Sequence, residues 1–315
     1  MPELGPGLVV VMPVYEDQQA CSLLLRRLET QIVGTYSILV VDDGSQVHPF
    51  EFDFEARATT HGYVLRLEKN VGHQAAIAAG LQMLAPCVGN DQLVIVMDSD
   101  GEDPPESIPL LCASLTNGAD IVAAARGKRH DSGTFKILYH LYRMLFASLT
   151  GQRINFGNFM LLRGSAVKQI ACMPSSPVHL AATVLSSGLN LKRVRVDRGL
   201  RYAGRSKMNM LRLIQHGTAS LSVFSEEVRH RLTIAGAVSG AAAVASTSAL
   251  IGKASAMAST HLLPTLTAGS ILSVSVIVAA AFLLPGRPTM KSIPSGGNRR
   301  SGDESRKEGR AGGLL

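Results

Sequence analysis

The chain contains no tryptophan, and only 5% of its 315 residues are aromatic. It shows no zinc-finger, RNP-type or helix-turn-helix pattern, so nucleic acid is not the favoured partner despite a net charge of +7. Its four cysteines, Cys21, Cys87, Cys112 and Cys172, include no CxxC pair. That excludes a thiolate zinc site or a disulfide framework and fits a reducing compartment. The sequence enters an apolar strand almost at once, with no signal-peptide pattern ahead of it. Between Ser132 and Val196 there is no Asp or Glu, while Lys136, Arg143, Arg153, Arg163, Lys168, Lys192, Arg193 and Arg195 all fall there. Such a bias suggests a face that meets something anionic, and the basic balance points to phosphate-rich partners such as anionic lipid or a phosphorylated small molecule.

What is present is concentrated in Leu93 to Glu106, LVIVMDSDGEDPPE. Leu93 to Met97 reads as a buried strand that ends on Asp98 and Asp100, with Glu102 and Asp103 next and a Pro-Pro pair opening a helix. Carboxylates this close repel unless a positive group sits among them. Mg²⁺ or Mn²⁺ takes oxygen ligands and is commonly completed by substrate phosphates. The alternative is an acidic loop capping the following helix.

Taken in order, Leu8 to Val14 is a β-branched run that reads as a parallel strand, with Tyr15 and Asp17 on the loop before a helix at Cys21 to Leu28. Ile38 to Val41 is a second strand, ending in Asp42-Asp43-Gly44-Ser45. Carboxylates there suit a ribose or base edge, or an Asx-type turn. Val64 to Leu67 is a third strand. It leads through Asn70 and Gly72 to an Ala-rich helix, Gln74 to Leu84, where a glycine at the helix mouth permits close approach of a ligand. After the acidic stretch and a helix from about Pro105 to Leu115, Asp120 to Ala125 is a fifth strand, ending in Arg126-Gly127-Lys128-Arg129. This alternation predicts a doubly wound α/β domain whose strand-end acids line one edge. Asn155 to Leu162 reads as a loop feeding a strand, and His179 opens an apolar helix to Leu185. Arg201 to Lys207 is a basic loop before an amphipathic helix, Met208 to Phe224, suited to a membrane interface or to packing on the domain.

Leu232 to Ile251 carries no charge and is long enough to span a bilayer. Leu262 to Leu284 is a second candidate span. Arg229 and Arg231 precede the pair, and Arg287, Lys291, Arg299 and Arg300 follow it. The expectation is a two-helix transmembrane hairpin with both ends, and the α/β domain, on the cytoplasmic side.

PVYED at Pro13, VDDGS at Val41, KNVGHQAAIAAG at Lys69, DSDGEDPPE at Asp98, ARGKR at Ala125, NFGNFMLL at Asn155 and RYAGRSK at Arg201 form an ordered set. Through it, the stretch from about Val9 to Arg231 resembles the inverting family 2 glycosyltransferases of GT-A fold, in the branch of dolichol-phosphate mannose synthase and bacterial polyprenyl-phosphate enzymes. The resemblance implies a GT-A, Rossmann-like nucleotide-sugar-binding domain over residues 1–200. The residue pattern itself predicts a basic loop with amphipathic juxtamembrane helices over 201–231, two transmembrane helices over 232–285 and a disordered basic tail over 286–315. The resemblance further implies that Pro13, Tyr15 and Asp17, with Asp where relatives have Glu, form the first nucleotide loop, that Asp42 and Asp43 read base and ribose, and that Asn70, Gly72, Asp98 and Ser99 belong to the donor site. Asp98, Asp100 and Glu102 would hold the metal, and Arg126, Arg201 and Lys207 the phosphates. Asn158 and Met160 stand where relatives that use polyprenyl phosphate often carry Asp then Arg, and an aromatic-rich segment after the last span is missing.

The function expected is sugar transfer from a nucleotide diphosphate sugar to a polyprenyl phosphate at the cytoplasmic leaflet. A phosphate acceptor is already ionised and needs no strong base. The alternative acceptor is a hydroxyl of a glycan or lipid-linked saccharide, with His179 as general base.

Overall fold

The computed structural model describes residues 4–51, 60–116, 118–126, 133–204 and 210–257. Its described residues fall into two compact units, Met1–Ser132 with Asn155–Leu213, and Gly133–Ile154 with Ile214–Pro288.

In the first unit the chain runs β1 (Leu8–Val14), α1 (Gln18–Gln31), β2 (Tyr36–Asp42), β3 (Thr60–Arg66), α2 (His73–Leu84) and β4 (Leu93–Val96). A 3₁₀ turn at Pro105–Ser107 leads into α3 (Ile108–Ser114), followed by β5 (Ile121–Arg126). In the second unit α4 covers Gly133–Thr150; the chain then returns through β6 (Phe156–Arg163), α5 (Gly164–Cys172), α6 (Leu180–Ser186) and β7 (Leu191–Val196). The seven strands form one mixed sheet in the order β3-β2-β1-β4-β6-β5-β7. β1 and β2 are almost wholly buried, because helices cover both faces, and their sequences are accordingly continuous apolar runs rather than alternating ones. Ala76, Ala78, Ala79 and Gly80 of α2 are buried. Their small side chains let the helix lie close over β1 and β2.

Register brings the functional ends together. Val14 pairs with Asp42, Asp42 with Arg66, and Val11 with Val96. The C-terminal tips of β1, β2 and β4 therefore share one edge, where open α/β sheets bind ligands.

Two features differ from the doubly wound expectation. β6 runs antiparallel between β4 and β5. An apolar run buried on both faces looks the same in either direction, so composition does not fix its sense. β7 was not expected as a strand. Its LKRVRV pairs with β5 at the sheet's end, with Lys192, Arg193 and Arg195 exposed. An edge strand tolerates such charge because it guards against further pairing. Within the acid-free span, Arg163 lies 3.7 Å from Asp91 and Lys168 donates to Asn90 Oδ1 at 2.7 Å.

Within the second unit, Phe146 and Phe224 meet edge to face with ring centroids 5.7 Å apart, and Tyr142 Oη lies 2.7 Å from Ser220 Oγ. α7 covers Met210–Ser222 and α8 Ser225–Met257. Ser225–Ala249 of α8 is long and apolar enough to cross a membrane, and little of it is buried. One apolar helix is thus seen. The second expected span, Leu262–Leu284, and the tail from residue 286 lie outside the described residues.

Candidate active site

At the β2 tip, Asp42 is fully buried. Its Oδ1 accepts from Ser45 N at 3.0 Å; its Oδ2 accepts from Phe50 N at 3.1 Å and lies 3.3 Å from Arg66 Nε. Asp43 accepts from Val71 N at 2.7 Å and Gly72 N at 3.0 Å. Burial pushes the Asp43 carboxyl above its usual range, and the two amides oppose that rise. The acid pair therefore clamps the two loops that flank it. Gly44, at φ 71°, makes the close passage possible, because a Cβ there would strike the Lys69–Asn70 backbone. Gly72 caps α2, and Asn70 is exposed beside it.

At the β1 tip, Pro13 is buried and Tyr15 is 41% exposed. Glu16 is the one non-glycine residue with positive φ among the described residues, at 46°. Its carboxylate accepts from Gln46 N, Val47 N and His48 N at 2.6, 3.0 and 2.7 Å. Those amides hold its pKa below the ordinary value. Nothing in the local pattern around Glu16 advertises this clamp.

The acidic loop after β4 is tied down from within and from a distance. Asp98 N donates to Asp103 Oδ2 at 2.8 Å, and Glu102 N to Asp100 Oδ1 at 2.9 Å. Ser99 is buried between them. A strap at residues 198–202 closes over the loop. Gly199 N donates to Glu102 O and Tyr202 N to Asp100 O, both at 2.9 Å. Arg198 pairs with Glu102. Arg201 bridges Asp100 Oδ2, at 2.7 Å, and Asp17. The Tyr202 ring lies where a Cβ on Gly101, φ 87°, would stand.

Burial first, and then the charge of Asp98, push the Asp100 pKa up to about 6 against the pull of Arg201 and Arg198. Burial works against ionised Asp98 too, but His73, with its Nε2 3.1 Å from Asp98 Oδ1, holds that carboxyl below the ordinary range. The same Oδ1 is buried without a well-formed hydrogen bond. Neighbouring carboxylates, the charge of one raising the pKa of the other, suit a hard divalent ion. Asp98 and Asp100 fit that role. Glu102 is turned to Arg198, and among the described residues no three His, Cys, Asp or Glu side chains gather as a ligand set.

Of the expected phosphate-holding cations, Arg201 is at the loop. Arg126 ends β5, with its side chain outside the described residues, and Lys207 lies wholly outside them. His179 is buried at the N-cap of α6, where its Nδ1 accepts from Ala182 N at 3.2 Å. His73, Gln74, Asn158 and Arg198 were missed as site residues. A histidine behind a helix-mouth glycine was the one visible hint.

Known proteins similar to this chain are glycosyltransferases by description. Over 157 residues, 48% of this chain and 47% of the relative, the sequence is 34% identical to undecaprenyl-phosphate 4-deoxy-4-formamido-L-arabinose transferase of Erwinia tasmaniensis. The protein of the same description from Pseudomonas syringae pv. syringae is 31% identical over 212 residues, 65% of this chain and 61% of that one. The chain thus spans about half to three fifths of these relatives. Glucosyl-3-phosphoglycerate synthase of Mycobacterium tuberculosis superposes with a TM-score of 0.47 at 17% identity, covering 72% of this chain and 79% of that one, a likeness too slight to argue from. The family model "Glycosyl transferase family 2" matches residues 9–170, which carry the tips of β1, β2 and β4, and the chain belongs to that family.

Proposed function

We propose that this protein transfers a sugar, with inversion, from a nucleoside diphosphate sugar to a polyprenyl phosphate at the cytoplasmic leaflet. The observation that carries the reading is the guanidinium of Arg201 set between Asp17 and Asp100, at the shared tip of β1 and β4. A cation there faces the place where a leaving diphosphate gathers charge, and stabilisation of developing charge is the largest contribution most enzymes make. The relatives described above, undecaprenyl-phosphate 4-deoxy-4-formamido-L-arabinose transferases, support the acceptor class.

In this reading Asp98 and Asp100 hold Mg²⁺ or Mn²⁺, which when bound supplies Lewis-acid neutralisation of the diphosphate. The Asp43 clamp and the Glu16 clamp fix the loops that border the donor's nucleoside. Arg201, joined by Arg126 and Lys207, binds phosphate oxygens. An acceptor phosphate attacks the anomeric carbon directly, so configuration inverts, and no protein base is required of the acceptor side. The hydroxyl-acceptor alternative would need His179 as base. Its Nδ1 already accepts the Ala182 amide, which favours the phosphate acceptor. α8, together with the second span, anchors the enzyme in the membrane.

The test is a screen of nucleotide sugars with the full chain in nanodiscs containing undecaprenyl phosphate, with and without EDTA. Lipid-phosphate-linked sugar formed only with divalent metal is expected. Turnover untouched by chelator would defeat the metal assignment, and product formed only on hydroxyl acceptors would defeat the acceptor.

A further inference from the structure

The strap and the acidic loop lie backbone to backbone. Gly199 N donates to Glu102 O and Tyr202 N to Asp100 O, so the two segments pair in opposite directions. They approach so closely that neither central glycine has room for a side chain. A Cβ on Gly199 would stand 2.5 Å from Gly101 O, and one on Gly101 would meet the Tyr202 ring. At its far end the strap is fastened by Tyr202, which packs against the core. Nearer β7, Leu200 is 88% exposed. The fastening there is polar, through the Gly199 N–H and the ion pair of Arg198 with Glu102. Those two side chains are 34% and 23% exposed, so water screens the pair only in part. Glu102 also donates its own N–H to Asp100 Oδ1 at 2.9 Å. One residue thus joins the strap, through its carbonyl and its carboxylate, to the aspartate that Arg201 meets.

We propose that Arg198 and Glu102 are positioning residues whose ion pair seats the strap so that the Arg201 guanidinium reaches Asp17 and Asp100. The inference rests on Arg201 binding the donor's diphosphate, as proposed above. It gives the Glu102 carboxylate to the strap rather than to the metal. A further carboxylate beside Asp100 adds repulsion to the loop, and Arg198 offsets it. Arg198 reaches Glu102 through one nitrogen, Nη2 to Oε2, whereas Arg201 uses two nitrogens on two carboxylates. A lysine ammonium can make a single contact but not a fork. Arg198→Lys therefore keeps the pair, and Arg198→Ala breaks it.

The full chain in detergent is titrated with UDP and, in parallel, GDP in the presence of Mn²⁺. Nucleotide binding is read by calorimetry, free Mn²⁺ by electron paramagnetic resonance, and melting is followed separately. Arg198→Ala and Glu102→Ala are each expected to weaken nucleotide binding about tenfold, the loss of one charged hydrogen bond at Arg201. The double variant is expected to lose no more than either single one, because the two residues act as a pair. Arg198→Lys is expected to recover most of the loss. At saturating nucleotide, Mn²⁺ affinity should change little in all four variants. Four results would each overturn this inference alone. Loss of Mn²⁺ affinity in the Glu102→Ala variants but not in Arg198→Ala would make Glu102 a metal ligand. Weakened nucleotide binding in Arg198→Ala that Glu102→Ala does not share would put Arg198 on the phosphates itself. Losses that multiply in the double variant would mean that the two residues act apart. Lower melting with nucleotide binding unchanged would leave the pair a purely structural role. Absence of Mn²⁺-dependent nucleotide binding by the wild type would overturn the proposed function and this inference with it.

Discussion

Arg201 answers two carboxylates at once, Asp17 on the loop after β1 and Asp100 on the loop after β4. A guanidinium can do so because its donors fan out in a plane, whereas a lysine ammonium is a compact point charge. Arg201→Lys is therefore expected to lower kcat about a hundredfold, close to removal of one oxyanion donor, and to rescue little relative to Arg201→Ala. Initial rates of lipid-linked sugar formation check this, and a lysine variant near wild-type rate would remove Arg201 from the diphosphate. Glu16 makes a different prediction. Its half-buried carboxylate accepts three backbone amides, which hold its folded pKa below the ordinary glutamate value. A depressed acid stabilises the fold above its unfolded pKa and loses that contribution as pH falls through the folded value. Glu16→Ala should thus melt below the wild type at pH 7, and the gap should close as pH drops below 4.5. A gap independent of pH would show that the clamp acts without charge. The two residues also differ in how readable they were. Asp98 and Asp100 stood out because acids two apart at a strand tip form a local pattern. The phosphate role of Arg201 came only through resemblance, Glu16 and Gln74 came only as members of longer motifs, and Asn158 came only as a departure from the family's pattern. Gln74 and Asn158 are 84 residues apart, and a pairing at that separation leaves no periodic trace in the chain.

Among elements, strands buried on both faces were the easiest to see, since covering helices make them uniformly apolar. The elements extend a few residues beyond their apolar patterns, as with Cys21 to Leu28, which lies within the helix Gln18–Gln31. The direction of β6 and the existence of β7 were hidden for opposite reasons. β6 is apolar in either sense, and β7 is charged because it is an edge. The strap at residues 198–202 follows β7, so the unseen strand is what delivers Arg198 and Arg201 to the acidic loop. Gly101 is the contact that sets their closeness. Its φ of 87° disfavours any side chain, and the Tyr202 ring fills the space a Cβ would need. Gly101→Ala is expected to cost about 1–3 kcal/mol of stability from backbone strain and overpacking together. It should also slow turnover by lifting Arg201 from Asp100. Adding Tyr202→Ala should restore the part due to overpacking and leave the part due to φ. Urea unfolding of the two single variants and the double variant measures that coupling. Additive effects would mean that Tyr202 does not press on Gly101.

At the scale of the whole molecule, the proposed membrane anchor carries a prediction about the side on which the acidic loop works. α8 carries Glu226 and Glu227 in its first turn and Arg229 and Arg231 just after, and continues as an apolar stretch with little buried surface. Basic residues flanking a span favour the cytoplasmic side, and a nucleotide sugar is a charged donor that does not cross a bilayer unaided. The protein carries its own reporter of sidedness. Its cysteines are all free: Cys21 is buried, Cys87 and Cys112 are half-buried, and Cys172 at the end of α5 is exposed. Burial pushes the Cys21 and Cys112 thiols up and makes them poor nucleophiles. A membrane-impermeant maleimide should therefore react chiefly at Cys172. Expressed in a bacterial host, the protein is expected to label in inverted inner-membrane vesicles and to stay protected in right-side-out spheroplasts, with Cys172→Ser abolishing most of the signal. A cysteine placed at Ala243, in the middle of α8, should resist the reagent from both sides if the helix spans. Labelling of Cys172 in intact spheroplasts would put the catalytic unit outside. Labelling of the Ala243→Cys variant in either preparation, with Cys172→Ser in the same chain, would mean that α8 lies in water rather than in lipid.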